Sequence, residues 1–382
     1  MTKLIRAVTA SQSIGFFEPI VPDLQAKGYE VVSVSSPGPE VQHLREMGVK
    51  CIEVSMERHI SLSKDIVSLW KLIKVFRKEK PDIVHSMTPK AGMLCMLAAW
   101  ICRVPVRIHT FTGLVWPTAS GLKQKILMAT DWLTCACATH IIPEGEGVKN
   151  DLLNHGITHK PLKVLGYGNV RGIDLVHYAR TEEVMRNADK IRVKDVFTFV
   201  FVGRIVRDKG INELVAAFKR LQAKVPKIRL ILVGEYEDAL DPITSEARKE
   251  IDDTPCILAV GKQKDVRPWL AASDALVFPS YREGFPNVVI EAGAMGLPSI
   301  VTDINGSREI IQDGVNGLIV PSKNKDTLQK GMERLVEDTT LASYLASNAR
   351  RLVASRYEQG FVKQCLLDFY RQIIHEKRGG IG

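Results

Sequence analysis

The segment EGFPNVVIE, residues 283–291, sets two carboxylates eight positions apart and fills the interval with a glycine, a proline, an asparagine and an apolar run. ALVFPS ahead of it reads as a strand and YREGF as a loop. Pro286 suits the first turn of a helix through NVVIEAGAMG, where its fixed φ and missing N–H do no harm. Glu283 then lies in the loop before the helix and Glu291 more than one turn inside it. Two carboxylates so placed reach the end and the middle of one extended ligand, and carboxylates accept hydrogen bonds from sugar hydroxyls. The amides after Pro286 suit a phosphate. The plainer alternative is a loop charge at Glu283 and a solvated helix residue at Glu291. Against it stands the apolar setting VVIEAGAMG, in which an unpaired carboxylate is costly.

A second constellation is FVGRIVRDKG, residues 201–210. An apolar strand ending in Gly203, with Arg204 beside it and Lys209 five residues on, puts two cations at the carboxyl end of a strand, where open α/β sheets bind ligands. The Arg fork and the Lys point charge suit a diphosphate. Taken alone, such a pair is more often two solvated turn residues.

These residues need a scaffold, and the hydrophobic rhythm supplies one. LIRAVTA, YEVVSVSS, VKCIEV, DIVHSM, VRIHTF and THIIPE read as strands separated by helical stretches. After a glycine-rich break at 166–174 the rhythm restarts with FTFVFVGR, RLILVGE, CILAVG, ALVFPS, PSIVTD and GLIVP. Strands alternating with helices predict parallel sheets covered on both faces, here two doubly wound Rossmann-like α/β domains in tandem. The expected bounds are 1–170 and 171–358, with a C-terminal helix over 359–382 packing back toward the first domain. A cleft between the domains is the expected ligand site.

Composition narrows the chemistry. The first strand is followed by TASQSIGFF, with the single glycine Gly15, so the Gly-x-Gly-x-x-Gly dinucleotide fingerprint is absent, as is the Gly-Lys-Ser/Thr phosphate loop. No Asp-x-Asp triplet or Cys/His cluster has metal-ligand spacing, so neither a metal nor a cofactor is expected. Seven scattered cysteines fit a reducing cytoplasm. The longest apolar run, GMLCMLAAWIC, falls well short of the roughly 20 residues of a spanning helix, and the N-terminus lacks a signal-peptide core. Net charge is +9, and residues 1–173 carry 21 Lys and Arg against 14 Asp and Glu, while the remainder carries 31 against 29. A positive N-terminal half suits an anionic partner, a membrane face or a nucleic acid, but no nucleic-acid module is recognisable. SLWKLIKVFRKEKP mixes Trp70, Leu72, Ile73 and Phe76 with Lys71, Lys74 and Lys78, and GLKQKILM at 121–128 repeats the mixture. Such a helix can lie among lipid headgroups, although Leu72, Ile73 and Phe76 also have the spacing of a core face.

Taken together, SYREGFPNVVIEAGAMGLPSIVTDINGSREII, FVGRIVRDKGINELVAAF and NGLIVP resemble a retaining glycosyltransferase of family 4, with the two-domain GT-B fold. The resemblance implies that the C-terminal domain binds a nucleotide sugar. Glu283 would hold hydroxyls of the donor sugar, the backbone of Gly284, Phe285, Pro286, Asn287 and Val288 its diphosphate, and Glu291 the ribose. Arg204 and Lys209 would neutralise the leaving diphosphate, Gly203 would end the strand at the site, the loop through Gly261 and Lys262 would cup the base, and Gly15 would let the diphosphate approach. The family usually has a Gly-Gly pair where SQSIGF has one glycine.

The stretch DIVHSMTPKAGMLCMLAAWICRVPVRIHTFTGLVWPTASGLKQ is similar to bacterial transferases that extend undecaprenyl-diphosphate-linked sugars in capsule, O-antigen or protein-glycan assembly, among them N-acetylgalactosaminyltransferases acting on a diacetylbacillosamine-linked lipid. This implies a UDP-sugar donor, a polyprenyl-diphosphate-linked acceptor and peripheral attachment to the cytoplasmic face of the membrane. His85, Lys90 and Thr112 would lie at strand ends on the acceptor side, and His109 would contact the donor sugar. A non-hydrolysing UDP-sugar epimerase of the same architecture and a transferase with a soluble acceptor are the alternatives.

Overall fold

The computed structural model describes residues 1–57, 61–239 and 241–379. The chain divides into two compact units, residues 1–172 with the C-terminal helix from residue 360, and residues 173–359. The end of the expected 359–382 helix, residues 380–382, lies outside the described residues.

In the first unit β1 (Thr2–Ala7), β2 (Tyr29–Ser35), β3 (Lys50–Glu53), β4 (Ile83–Met87), β5 (Val106–Phe111) and β6 (His140–Pro143) form a parallel sheet of order β3-β2-β1-β4-β5-β6. In the second, β7 (Phe197–Val202), β8 (Ile228–Val233), β9 (Ile257–Ala259), β10 (Ala275–Phe278), β11 (Ser299–Thr302) and β12 (Gly317–Val320) form another, of order β12-β11-β10-β7-β8-β9. All twelve strands coincide with segments expected from the sequence, ten of them lying wholly inside, with β1 starting two residues and β8 one residue earlier than expected. They were legible because a strand covered on both faces must be apolar nearly throughout, as the IRLILV of β8, buried over its whole length, shows. The order reverses direction beside β1 and beside β7, so each sheet has a switch point at which the connections leave on opposite faces.

The first sheet carries two cores. Helices Leu62–Glu79, Pro89–Ile101 and Gly121–Cys137 cover one face, burying Leu72, Phe76, Leu94 and Cys135 against β4 and β5. The other face is covered by the N-terminal helices together with Leu366, Phe369 and Tyr370 of the C-terminal helix Gln359–Gly379. Leu72 and Phe76 therefore belong to the core, which corrects their expected place beside lipid. The apolar residues that this helix leaves exposed are Leu62, Ile66, Val67 and Trp70, while Lys71, Lys74 and Lys78 are exposed as expected.

His85 and His109 are a second correction. Both were expected at strand ends facing a ligand, and both are 1% exposed. His85 points toward the C-terminal helix. Its Nδ1 accepts from Arg6 Nη1 at 2.9 Å and lies 2.6 Å from Tyr370 Oη, and its Nε2 is 2.7 Å from Thr110 Oγ1, a set satisfied by the neutral ring with its proton on Nε2. Arg6 also donates to Tyr370 Oη at 2.5 Å, so three side chains from β1, β4 and the C-terminal helix close one buried triangle. On the opposite face His109 Nδ1 is 2.9 Å from Ser86 Oγ, and the ring lies under Gly92, where a Cβ would come within 2.4 Å of its Cε1.

Burial pushes His109 down to about 3, and burial with the nearby Arg6 charge holds His85 well below its ordinary value. The unfolded chain binds these protons near pH 6.5 and the folded chain does not, so the linked stability is present above pH 6.5 and is lost as pH falls toward the folded values, at about 1.4 kcal/mol per pH unit for each ring. We expect imidazole nitrogen NMR to find both rings neutral at pH 5.5 and the denaturant midpoint to fall between pH 7 and pH 5. Titration of either ring near pH 6.5 would contradict this burial.

Candidate active site

The candidate site of the second unit is built from the loops after β7 and β10. After β7 the chain passes through Gly203, whose φ of 152° favours glycine, and forms a single turn at Arg207–Lys209 that ends on Gly210 with φ 72°. A Cβ on Gly210 would lie 2.1 Å from the Pro279 carbonyl oxygen. Only a glycine lets this turn approach the end of β10 so closely. The approach is then cross-tied: Tyr281 N donates to Asp208 O at 2.8 Å, and Arg282 Nε contacts Asp208 Oδ2 at 3.3 Å.

Lys209 and Glu283, 74 residues apart, thereby form an ion pair that is mostly buried on both sides. Glu283 Oε1 takes the Lys209 ammonium and also accepts from Ser280 Oγ at 2.7 Å, so both bonds fall on one oxygen. The Lys209 ammonium lies 5.1 Å from the Phe278 ring centroid, a favourable place for a cation. Arg204 is half exposed and pairs with Glu237 Oε2 at 2.5 Å. It therefore sits beside the same strand end but on a carboxylate of its own.

The helix after Glu283 spans Asn287–Ala294, one residue later in its start than the sequence suggested. Pro286 is its N-cap, extended at φ −74° and ψ 101°, rather than a member of the first turn, and its own side chain makes no capping bond. Gly284, Phe285 and Pro286 are buried, and Asn287, Val288 and Glu291 are half-buried. The loop is held from behind by Gly306, where a Cβ would meet Gly284 O at 2.4 Å, and by the Phe285 ring, 5.5 Å from that of Tyr357. Gly261 has φ 68° with open space beyond it, its carbonyl accepts from Gly234 N at 3.0 Å, and Lys262 is exposed. The second unit thus brings Glu283, Lys209 and the Pro286 turn together, with Arg204 near them at the carboxyl edge of the sheet.

In the first unit the expected residues scatter. Gly15 lies in the short helix Ser11–Phe16 with nothing within 4 Å of where a Cβ would stand. Thr112 follows β5 and is half-buried. Lys90 was expected to face an acceptor, but it is 9% exposed and pairs with Asp65 Oδ2 at 2.5 Å, tying helix Pro89–Ile101 to helix Leu62–Glu79. Its charge is committed within the fold. Sequence reasoning missed Asp208, Gly210, Ser280 and the pair of Tyr281 with Glu213, whose 2.6 Å bond ties the same loop to helix Ile211–Gln222. The Asp-Lys-Gly run after a strand was the available signal for the turn. Among the described residues no group of three His, Cys, Asp or Glu could hold a metal ion.

Residues 185–352 match the family described as Glycosyl transferases group 1, and residues 17–168 the one described as Glycosyl transferase 4-like domain. The chain is 31% identical over 378 residues to the capsular polysaccharide biosynthesis glycosyltransferase CapM of Staphylococcus aureus, covering 99% of each. It is 26% identical over 377 residues to the N,N'-diacetylbacillosaminyl-diphospho-undecaprenol alpha-1,3-N-acetylgalactosaminyltransferase of Campylobacter jejuni, covering 96% of this chain and 97% of that one. The crystal structure of Anabaena Alr3699/HepE in complex with UDP has the same fold, with a TM-score of 0.80 and 19% identity over 97% of this chain and 100% of that one. Both halves match in order and one relative is similar end to end, so the chain belongs to the group 1 glycosyltransferases and has their GT-B fold.

Proposed function

We propose that the chain transfers a hexose or N-acetylhexosamine from a UDP-sugar to a saccharide carried on undecaprenyl diphosphate, with retention of configuration, during assembly of a surface polysaccharide or glycan at the cytoplasmic face of the membrane. The observation that carries this reading is the Lys209–Glu283 pair at the mouth of a phosphate-ready helix turn. The names of the Staphylococcus and Campylobacter relatives support the product class and the lipid-linked acceptor, and the UDP in the Anabaena structure supports the nucleotide.

Each group then has a task. Glu283 keeps Oε1 for Lys209 and Ser280 and offers Oε2 to hydroxyls of the donor sugar. The backbone from Gly284 to Val288 takes the diphosphate, Glu291 the ribose, and the loop at Gly261 and Lys262 the base. As the bond between the anomeric carbon and the phosphate oxygen breaks, Lys209 and Arg204 stabilise the departing negative charge. The acceptor hydroxyl attacks the anomeric carbon from the face the diphosphate leaves, and a phosphate oxygen takes the hydroxyl proton. Catalysis is then mainly positioning and electrostatics. His109, sealed under Gly92, has no part in it, and the acceptor side of the first unit falls to Thr112 rather than to His85 or Lys90.

Glu283→Gln, Arg204→Ala and Lys209→Ala should each lower turnover by about a hundredfold or more while far-ultraviolet circular dichroism stays unchanged. Near-normal activity in two of the three would remove the assignment. Glu291→Ala should raise the KM for donor with a smaller effect on kcat, since ribose contacts are alike in ground and transition states.

The sequence has no Asp-x-Asp triplet, so excess EDTA should leave initial rates with a radiolabelled UDP-sugar and a lipid-diphosphate-linked acceptor nearly unchanged. Loss of activity restored by manganese would contradict the metal-independent mechanism. Conversion of the UDP-sugar without acceptor would point to an epimerase instead.

A further inference from the structure

The loop after β8 carries four carboxylates, Glu235, Glu237, Asp238 and Asp241, beside the stretch from Arg204 to Lys209 that follows β7. Ile205 N donates to Glu235 O at 2.8 Å and Arg207 N to Asp241 O at 3.2 Å, and Asp241 Oδ2 accepts from Asp208 N at 2.7 Å. The acidic loop is thus pinned against the cationic stretch at both ends. Its carboxylates are engaged to different degrees. Asp241 is committed, since besides the Asp208 amide it takes Arg207 Nη2 on Oδ1 at 3.1 Å. Asp238 is two-thirds exposed and reaches Arg248 only at 3.9 Å. Glu237 takes Arg204 Nη1 on Oε2, and its side chain has no second partner among the described residues.

The two cations assigned to the departing diphosphate are therefore both held by carboxylates, but on unequal terms. The side chains of Lys209 and Glu283 are 17% and 16% exposed, and Ser280 Oγ adds a second bond to the same carboxylate oxygen. Separating that pair would strand two charges in a mostly buried place. The side chains of Arg204 and Glu237 are 52% and 30% exposed and are joined through one hydrogen bond. Solvent screens this pair, and parting it leaves neither charge stranded. A guanidinium fork makes two parallel bonds to a phosphate group, and a diphosphate brings more negative charge than one carboxylate. Glu237 is thus a weak anion on the guanidinium for which a stronger one is expected.

We infer that Glu237 is an internal competitor of the donor's diphosphate: its carboxylate and the diphosphate take the Arg204 guanidinium in turn, so that Glu237 yields it when the nucleotide sugar binds and takes it back as the nucleoside diphosphate leaves. Glu237 so sets the affinity for donor and product by weakening both. The inference rests on the proposed function, and it adds a residue whose effect on binding is opposite in sign to that of every donor-site residue assigned above.

Calorimetric titration of the full chain with UDP tests it. Glu237→Gln keeps the size of the side chain and removes its charge, and it should bind UDP roughly fivefold more tightly than the unaltered chain, the upper scale of an exposed ion pair, at unchanged melting temperature. Product inhibition by UDP should strengthen by the same factor. A merely structural tie would do the reverse, because cutting it loosens the site and weakens binding. In an Arg204→Ala background the same Glu237→Gln change should alter UDP affinity by less than about twofold, since no guanidinium is left to contend for. An equal gain in both backgrounds would mean repulsion through space rather than a shared guanidinium and overturns the inference. Unchanged or weaker UDP binding by folded Glu237→Gln overturns it as well and leaves the proposed function standing, whereas no UDP binding by the unaltered chain removes both.

Discussion

The site depends on one close approach, that of the Arg207–Gly210 turn to the carbonyl of Pro279. Lys209 and Glu283 come from loops after adjacent strands, β7 and β10, yet adjacency of strands does not bring loop tips together. The missing Cβ of Gly210 allows backbone contact, and the bond from Tyr281 N to the Asp208 carbonyl holds the two loops in register. Once the loops are fixed, the ammonium and the carboxylate need little further ordering. A flexible lysine loses about 2 kcal/mol of rotamer freedom when immobilised, and here the Phe278 ring and the Glu283 carboxylate already define its position.

That pairing also shapes how charge is presented. Two opposite charges at a mostly buried site attract each other more strongly than in water, so neither is free to wander. The Ser280 hydroxyl shares Oε1 with the lysine, so both bonds fall on one oxygen of the carboxylate. Arg204 differs in kind. It is half exposed on Glu237, a partner that solvent screens, and can be released at small cost.

The sequence made the strands and the Glu283–Glu291 spacing legible because both are local. A buried parallel strand is an apolar run, and a carboxylate inside VVIEAGAMG is conspicuous without any knowledge of the fold. The tie between Tyr281 and Glu213 and the fit of Gly210 against Pro279 are long-range, and each residue is ordinary until its partner is known. The histidines failed for a related reason. Polar residues in β4 and β5 look like strand-end ligands, but His85 and His109 alternate to opposite faces of one sheet, where Tyr370 and Gly92 seal them, and nothing in DIVHSM or VRIHTF reports what covers each face. The same limit applied to Leu72 and Phe76. Helical spacing gives a face, and only packing decides which face turns inward.

The first unit carries its positive charge by subtraction as much as by addition. Asp131, buried beside Trp116, is pushed up to about 7 because burial disfavours its charged form, so near neutral pH it contributes only part of a negative charge. Glu79 stays ionised, held below its ordinary value by Lys50 and Lys3, but both of those lysines come from strands rather than from the helix layer, so its charge cancels none of the cations outside. Asp65 is matched by Lys90 in the same way, inside the layer. The carboxylates of these three helices are thus neutralised by protonation or by lysines paired with them, and Lys71, Lys74, Arg77, Lys78, Lys123 and Lys125 stay exposed. A surface field of that sign falls off over about a Debye length, roughly 8 Å in physiological salt, so these cations act on an anionic group at contact and are largely screened beyond it.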